Sequence, residues 1–158
     1  MADVHSPETR SRNMSAIKGK DTKPEMLIRR GLHAHGFRYT LHDNRLPGKP
    51  DLVLPKYNAA ILVHGCFWHC HECGIFRWPK TRTDFWRKKI EANAERDQRQ
   101  LDELNYDWKM RSLVVWECAL KGKHKRPIDE VVDQVDCWFS LEISDPGYWR
   151  GSIQGYEQ

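Results

Sequence analysis

Asp51 follows Pro50 in a Pro-Gly-Lys-Pro turn, at the head of the short apolar segment Leu52-Val53-Leu54. Twelve positions further on, a second apolar run closes at Val63-His64. A carboxylate at one strand's edge beside another strand's end is a place where a divalent cation can be held against a phosphate. A Pro-Asp pair alone more often marks an ordinary turn. Asp97 adds to the case, because it lies on the apolar stripe of a long helical pattern between Ile90/Ala94 and Leu101/Leu104. A carboxylate facing a core needs a partner, either at a site or in a structural salt bridge to an arginine. Glu25 is a further inward candidate, although a capping box explains it equally well. His64 and His69 flank the segment 65–68, and an imidazole there can take a proton from an attacking water or give one to a leaving oxygen. Taken alone, each histidine reads first as a zinc ligand or a surface residue.

A second constellation overlaps the first. Cys66, Cys70, His71 and Cys73 fall within eight residues, and Cys118 follows a later apolar run. Thiolate and imidazole donors so closely spaced suit a tetrahedral structural zinc; the plainer alternative is a set of reduced buried thiols. Spacing leaves Cys70 and His71 both open as the ligand beside Cys66, Cys73 and Cys118. Cys137 is expected on the inner side of the last helix, as packing. An odd total of five cysteines, clustered and without an export signal, argues against a disulfide framework.

Phe67 and Trp68 stand inside the polar Cys/His loop, and Trp86 opens the long helical pattern. Large apolar side chains so placed can wedge between base steps. Lys89 and Asn93 follow Trp86 at i+3 and i+7, on one helix face, and both side chains can reach base edges. Core aromatics beside a solvated lysine are the bland alternative.

The elements that must position these groups follow from periodicity and punctuation. Residues 1–20 carry Arg10, Arg12, Lys18 and Lys20 with little apolar periodicity, and are expected to form an arm with a short helix around 12–17. Thr22-Lys23-Pro24-Glu25 has the form of a capping box, opening a helix to about His35 with Gly36 as its stop and Glu25, Ile28, Leu32 and His35 inward. Residues 37–41 alternate as a strand, 52–54 form a short one, and 57–64 a buried central one. A loop over 65–80 leads into the strongest helix, from 81–83 to about Leu104, with Trp86 also on its inner stripe. Leu113-Val114-Val115-Trp116 is another buried strand, and Pro127 opens a last helix with Ile128, Val131, Val132, Val135 and Trp138 inward. The tail from Ser140 carries no assignable pattern. The order of elements is that of an α/β protein, a mixed sheet flanked by helices.

The 158 residues suffice for one compact domain, taken as 21–158 behind the arm, with 39% hydrophobic and 30% charged residues. The longest apolar run, 59–63, excludes a membrane span of ordinary length. Residues 1–12 hold no apolar signal-peptide core, so the cytoplasm is the expected location. A net charge of +4 hints at a polyanionic partner.

Taken together, several motifs resemble those of the very short patch repair (Vsr) endonucleases. They are Arg10-Ser11-Arg12-Asn13-Met14-Ser15-Ala16-Ile17-Lys18-Gly19-Lys20-Asp21-Thr22, Leu46-Pro47-Gly48-Lys49-Pro50-Asp51 and His64-Gly65-Cys66-Phe67-Trp68-His69. Thr81-Arg82-Thr83-Asp84-Phe85-Trp86, Glu95-Arg96-Asp97 and Val115-Trp116-Glu117-Cys118 follow in order, so that the resemblance spans roughly residues 5–121. The resemblance implies a restriction-endonuclease-like fold, a structural Zn²⁺ and Mg²⁺-dependent nicking 5′ to the thymine of a T:G mismatch left by deamination of 5-methylcytosine. It implies Asp51 and the Val63 carbonyl as Mg²⁺ ligands, His69 as general base, and His64, Asp97 and Glu25 as supports of the metal-bound waters. Zinc maps to Cys66, His71, Cys73 and Cys118; Phe67, Trp68 and Trp86 to a major-groove wedge; Met14 to a minor-groove intercalator; Lys89 and Asn93 to readers of the mismatch. As partners it implies duplex DNA, the mismatch-repair factor MutL and a functionally linked cytosine-5 methyltransferase, with a monomer as the working form. A restriction-type Glu-x-Lys after the Pro-Asp is absent here, as in that family. Cys70 replaces a frequent histidine, and the segment 105–112 is one residue longer than the family's usual Leu-Gly-Trp turn. Two other readings are a restriction endonuclease cutting both strands of an unmodified site, and a zinc-stabilised DNA-binding module without catalysis.

Overall fold

The protein is known here from a computed structural model that describes residues 6–17, 19–145 and 149–157. Lys18, one of the expected basic residues of the arm, lies outside the described residues, as do residues 1–5.

Five strands form one mixed sheet in the order β1-β2-β3-β4-β5. They are β1 (Thr40–Leu41), β2 (Leu52–Leu54), β3 (Ala59–His64), β4 (Arg111–Trp116) and β5 (Arg150–Ile153). The first three pair antiparallel; β3 with β4, and β4 with β5, pair parallel. Alternation across the pleat sorts the core into two layers. Leu52, Leu54, Ala59, Ile61, Leu113 and Val115 face one side, where they meet Ile28 and Leu32 of α2 (Lys23–Ala34) and Val131, Val135 and Phe139 of α4 (Ile128–Ser140). Val53, Ala60, Leu62 and Val114 face the other, against Leu101 at the end of α3 (Thr83–Asp102) and Leu104 beyond it. With both faces covered, the central strands need to be apolar throughout, which is why β3 and β4 carry unbroken hydrophobic runs.

Local signals set most boundaries. Thr22 caps α2, its Oγ1 accepting from the Glu25 N–H at 3.4 Å, and Gly36 ends the helix region with φ +96°. At its end His35 is exposed rather than inward, and lies 3.6 Å from Asp136 on α4. The first helix, α1, spans Pro7–Ser15, earlier than the expected 12–17, because Ser6 caps it and Pro7 sits at its first position. It buries none of its residues. The expected strand over 37–41 pairs only at Thr40 and Leu41; Phe37 is buried by rings, against Tyr57 and Phe139, and not by a ladder. Pro127 is the N-cap of α4 and not part of it.

Two departures are larger. Beyond α3 the chain forms a π-helical turn, Glu103–Asp107, that sequence periodicity extends as ordinary helix to Leu104. A π turn takes up one residue more than an α turn. Beyond it β4 pairs with β3 so that His64 lies opposite Trp116, with Cys118 two residues on. Cys137 is exposed, on the outer side of α4. The tail contributes β5, which its Arg-Gly-Ser-Ile composition did not announce. Among the described residues no helix is long and apolar enough to cross a membrane.

Candidate active site and metal centre

The register of β2 on β3 creates an open edge. Leu52 faces Ile61 and Leu54 faces Ala59, so the continuing register sets Pro50 across from Val63. Proline has no N–H to extend the ladder. The Val63 N–H donates instead to Asp51 Oδ2 at 2.7 Å. In an antiparallel strand the N–H and C=O of one residue point to the same edge, so the Val63 carbonyl lies along the edge that Asp51 occupies. Burial pushes the Asp51 carboxyl up from 3.8 to about 6, against the pull of the Val63 N–H; nearby Glu25 adds to the rise, while His42 and His69 oppose it. A carboxylate destabilised by desolvation and by a second carboxylate is one that a bound cation relieves. The oxygen donors of this edge therefore fit a hard divalent ion.

Glu25, almost wholly buried on α2, completes one side of the edge. Its Oε2 accepts from the Asp21 N–H at 2.8 Å, and its Oε1 lies 2.6 Å from His42 Nε2 and 3.5 Å from Arg29. His42 holds φ +48°, and its own N–H donates to the Asp51 carbonyl at 3.1 Å. It thus ties the Glu25 side chain to the Asp51 backbone. Sequence reasoning passed over His42, which has no periodic neighbours and acquires its meaning only from a residue 17 positions away.

His64, His69 and Asp97 meet on the other side. The two imidazoles stack in parallel with centroids 3.8 Å apart. His69 Nδ1 makes a short hydrogen bond to Asp97 Oδ2, so Asp97 is paired to a histidine and not to an arginine. Burial, and then the charge of His69, drive His64 down to about 3 against the opposing pull of Asp97, which keeps His64 neutral at physiological pH. With Nδ1–H donated to a carboxylate, the free nitrogen of His69 is Nε2, the arrangement that suits a general base. The expected inner stripe of α3 is split accordingly. Ile90 and Leu101 enter the core, whereas Trp86, Asn93, Ala94 and Asp97 are half-buried, and Asn93 and Asp97 bond to the loop 65–70.

That loop also begins the second centre. Nδ1 or Nε2 of His71 and the Sγ atoms of Cys66, Cys73 and Cys118 all lie within 4.8 Å of one another. Three thiols and an imidazole are a donor set that suits a closed, tetrahedral zinc site. Burial pushes the Cys66 and Cys118 thiols up, a cost that a bound cation reverses. Cys70 stands outside the group, at φ +56° and near Glu72, Glu91 and Arg87. Trp116 joins the two centres, stacked on His71 at 4.1 Å and edge-on to His64 at 5.4 Å. Glu117 Oε2 accepts from the Cys66 N–H at 3.2 Å. Neither residue was singled out in the sequence, although both lie inside the Val115–Cys118 motif.

A groove of about 920 Å³ runs past the first centre, lined by Met14, Val63, Phe67, Trp68, His69, Lys89 and Asn93 among others. Trp86 packs edge-on against Phe67 and Trp68 at 5.5 and 6.0 Å. The Lys89 ammonium lies 5.6 Å from the rings of both Trp68 and Trp86. Asn93 spends its amide within the protein: it donates to the Trp68 carbonyl at 3.0 Å and accepts from Arg96 at 3.2 Å. Trp68 is thereby held to α3. Of the residues singled out from sequence, Asp51 and Glu25 stand at the strand edge, outside the groove's lining.

The family model described as "DNA mismatch endonuclease Vsr" matches residues 2–75. The "DNA mismatch endonuclease Vsr" of Escherichia coli strain K12 is 44% identical over 143 residues, covering 90% of each chain. The "Type II nicking enzyme V.NmeAIP" of Neisseria meningitidis is 44% identical over 126 residues, 78% of this chain and 87% of its own. The "Type II nicking enzyme V.XorIIP" of Xanthomonas oryzae pv. oryzae is 47% identical over 121 residues, 76% of this chain and 88% of its own.

Proposed function

The chain belongs to the Vsr family of DNA mismatch endonucleases, and from that premise we propose that it nicks one strand of duplex DNA 5′ to the thymine of a T:G mismatch. Such mismatches arise when 5-methylcytosine is deaminated, so the substrate is produced wherever a cytosine-5 methyltransferase acts. We read the core as restriction-endonuclease-like with a structural Zn²⁺ at Cys66, His71, Cys73 and Cys118. The working form is a cytoplasmic monomer whose arm, residues 1–20, reaches the DNA.

The reaction replaces one P–O bond by another. Water attacks phosphorus, the bond to the 3′-oxygen breaks, and 5′-phosphate and 3′-hydroxyl ends remain. Asp51 and the Val63 carbonyl would hold Mg²⁺, which supplies charge against the phosphate when bound. His69 takes the proton of the attacking water at Nε2, while Asp97 fixes its ring through Nδ1 and stabilises the imidazolium that forms. His64, neutral and stacked on His69, maintains the ring plane without adding a competing charge. Glu25, anchored by His42 and Arg29, holds the polar side of the edge. The departing 3′-oxygen takes up a proton from solvent.

Selectivity comes from deformation. Phe67, Trp68 and Trp86 form the wedge in the major groove, and Met14 of α1 enters the minor groove. Unstacking costs a few kcal/mol at a paired step and less at a mismatch. Lys89 and Asn93 border the same groove as readers, with Asn93 also fixing the Trp68 loop. The observation that carries this reading is that one groove is lined by Val63, which bonds Asp51, by His69, which bonds Asp97, and by the half-buried rings of Phe67 and Trp68.

The test is cleavage of end-labelled duplexes carrying T:G, C:G or T:A at one position, in several flanking contexts, with Mg²⁺. Cutting of only the thymine strand of T:G supports the proposal. Cutting of both strands of a matched site would transfer the protein to the restriction class, and binding without cutting in every context would leave a DNA-binding module.

A further inference from the structure

The segment after β5 could leave the sheet freely, yet it turns across the Cys/His centre and is bonded there on both sides. On the outer side, the Gln154 carbonyl accepts from Arg126 Nε at 2.7 Å, and the Tyr156 N–H donates to the His124 carbonyl at 2.8 Å. The Arg126 guanidinium lies 4.2 Å from the Tyr156 ring centroid and also pairs with Glu130, to which the Tyr156 hydroxyl bonds. On the inner side, the Gly155 N–H donates to Cys118 Sγ at 3.4 Å, and Gln154 Oε1 lies 3.0 Å from His71 Nε2. A Cβ at Gly155 would sit 2.5 Å from the Cys118 carbonyl oxygen and 2.8 Å from that of His124, so only glycine allows the backbone this close.

The chemistry of the Gln154 contact is directional. With the Gln154 amide oxygen toward the ring, as here, the amide accepts and the His71 ring carries its proton on Nε2. The lone pair then lies on Nδ1, and Nδ1 is the nitrogen turned into the centre, 3.5 Å from Cys66 Sγ and 3.7 Å from Cys118 Sγ. A backbone N–H on Cys118 Sγ likewise favours its thiolate. Outer groups that fix a histidine tautomer and orient a thiolate are what a metal centre needs beyond its ligands.

We propose that Gln154 is a positioning residue for His71, and that residues 154–156 form the outer wall of the metal centre, retarding loss of its ion. This rests on reading Cys66, His71, Cys73 and Cys118 as a metal centre. The tail is therefore part of the site and not an appendage to the sheet, even though it lies beyond the last cysteine of that centre by 36 positions or more.

The test uses the full chain loaded with Zn²⁺ and follows transfer of the ion to a chromophoric chelator, beside the visible spectrum of the Co²⁺-loaded protein. Gln154→Ala is expected to speed zinc release on the order of 10-fold and to shift the cobalt bands. Gln154→Glu, which keeps an acceptor for His71 Nε2–H, should restore both. Tyr156→Phe removes the hydroxyl contact to Glu130 and leaves the inner contacts in place, so it should release zinc at the parent rate. Release from Gln154→Ala at the parent rate, or equal speeding by Tyr156→Phe, would overturn the positioning role while leaving the metal centre intact. Failure of the parent protein to take up one equivalent of Zn²⁺ or Co²⁺ would overturn both.

Discussion

Replacing Asp51 by asparagine is expected to make the protein more stable while removing its activity. In the absence of a divalent ion, the Asp51 carboxyl is raised from 3.8 to about 6, first by burial. A raised folded-state value means that the folded protein binds this proton more tightly than the unfolded chain does. Its contribution is fully present below the unfolded value of 3.8, declines as pH rises, and is lost above about 6. At ~1.4 kcal/mol per tenfold in affinity, the loss amounts to about 3 kcal/mol at neutral pH. The substituted amide would carry no charge at any pH, and its oxygen would still accept from the Val63 N–H. Urea unfolding of zinc-loaded protein in Mg²⁺-free buffer, at about pH 8 and about pH 4.5, measures the difference directly. Asp51→Asn should be the more stable by about 3 kcal/mol at the higher pH, and the gap should narrow at the lower one. Adding Mg²⁺ should stabilise the parent and not the variant, because a ligand stabilises only a state that binds it. A variant no more stable than its parent at the higher pH, or a gap that does not narrow on acidification, would refute the claim that Asp51 is held at an energetic cost for a cation.

The other predictions concern the base, the wedge and the second centre. Asp97→Asn leaves the His69 contact in place with the wrong hydrogen-bond polarity; single-turnover nicking should slow by about 10²–10⁴-fold, with duplex affinity in gel-shift titrations little changed. Trp68→Ala should weaken binding to T:G duplexes by about 1–3 kcal/mol and affect matched duplexes less, so competition between the two duplexes should show reduced discrimination. Cys73→Ser should lower the zinc content measured on the purified protein and its melting temperature together, because binding energy at a structural centre is also folding energy.

Much of this molecule was legible because its signals are local. The cap at Thr22, the stop at Gly36 and the unbroken apolar runs of β3 and β4 each depend on a few consecutive residues, and the two-faced core follows from the alternation of Leu52, Val53 and Leu54. Asp97 was conspicuous because a carboxylate on an apolar stripe demands a partner, and the structure supplies His69. What could not be read is non-local. β5 has an Arg-Gly-Ser-Ile sequence without alternating burial, and exists because β4 offers an edge. His42 and Gln154 have partners 17 and 83 positions away and no pattern of their own. Cys137 was expected to pack inward, but the apolar face of α4 is completed by Phe139, whose ring stacks on Tyr57 at 4.8 Å. The π turn after α3 shows the same limit, since hydrophobic periodicity does not mark where a helical turn widens.

The edge shared by Asp51 and Val63 is proposed as a metal-dependent nicking centre for mismatched DNA. Its most direct test is strand-resolved cleavage of one end-labelled T:G duplex by the parent protein and Asp51→Ala, each with and without Mg²⁺. A single cut 5′ to the mismatched thymine, by the parent protein and with the ion present, is the expected result. Undiminished cutting by Asp51→Ala, or cutting by the parent without any divalent ion, would contradict it.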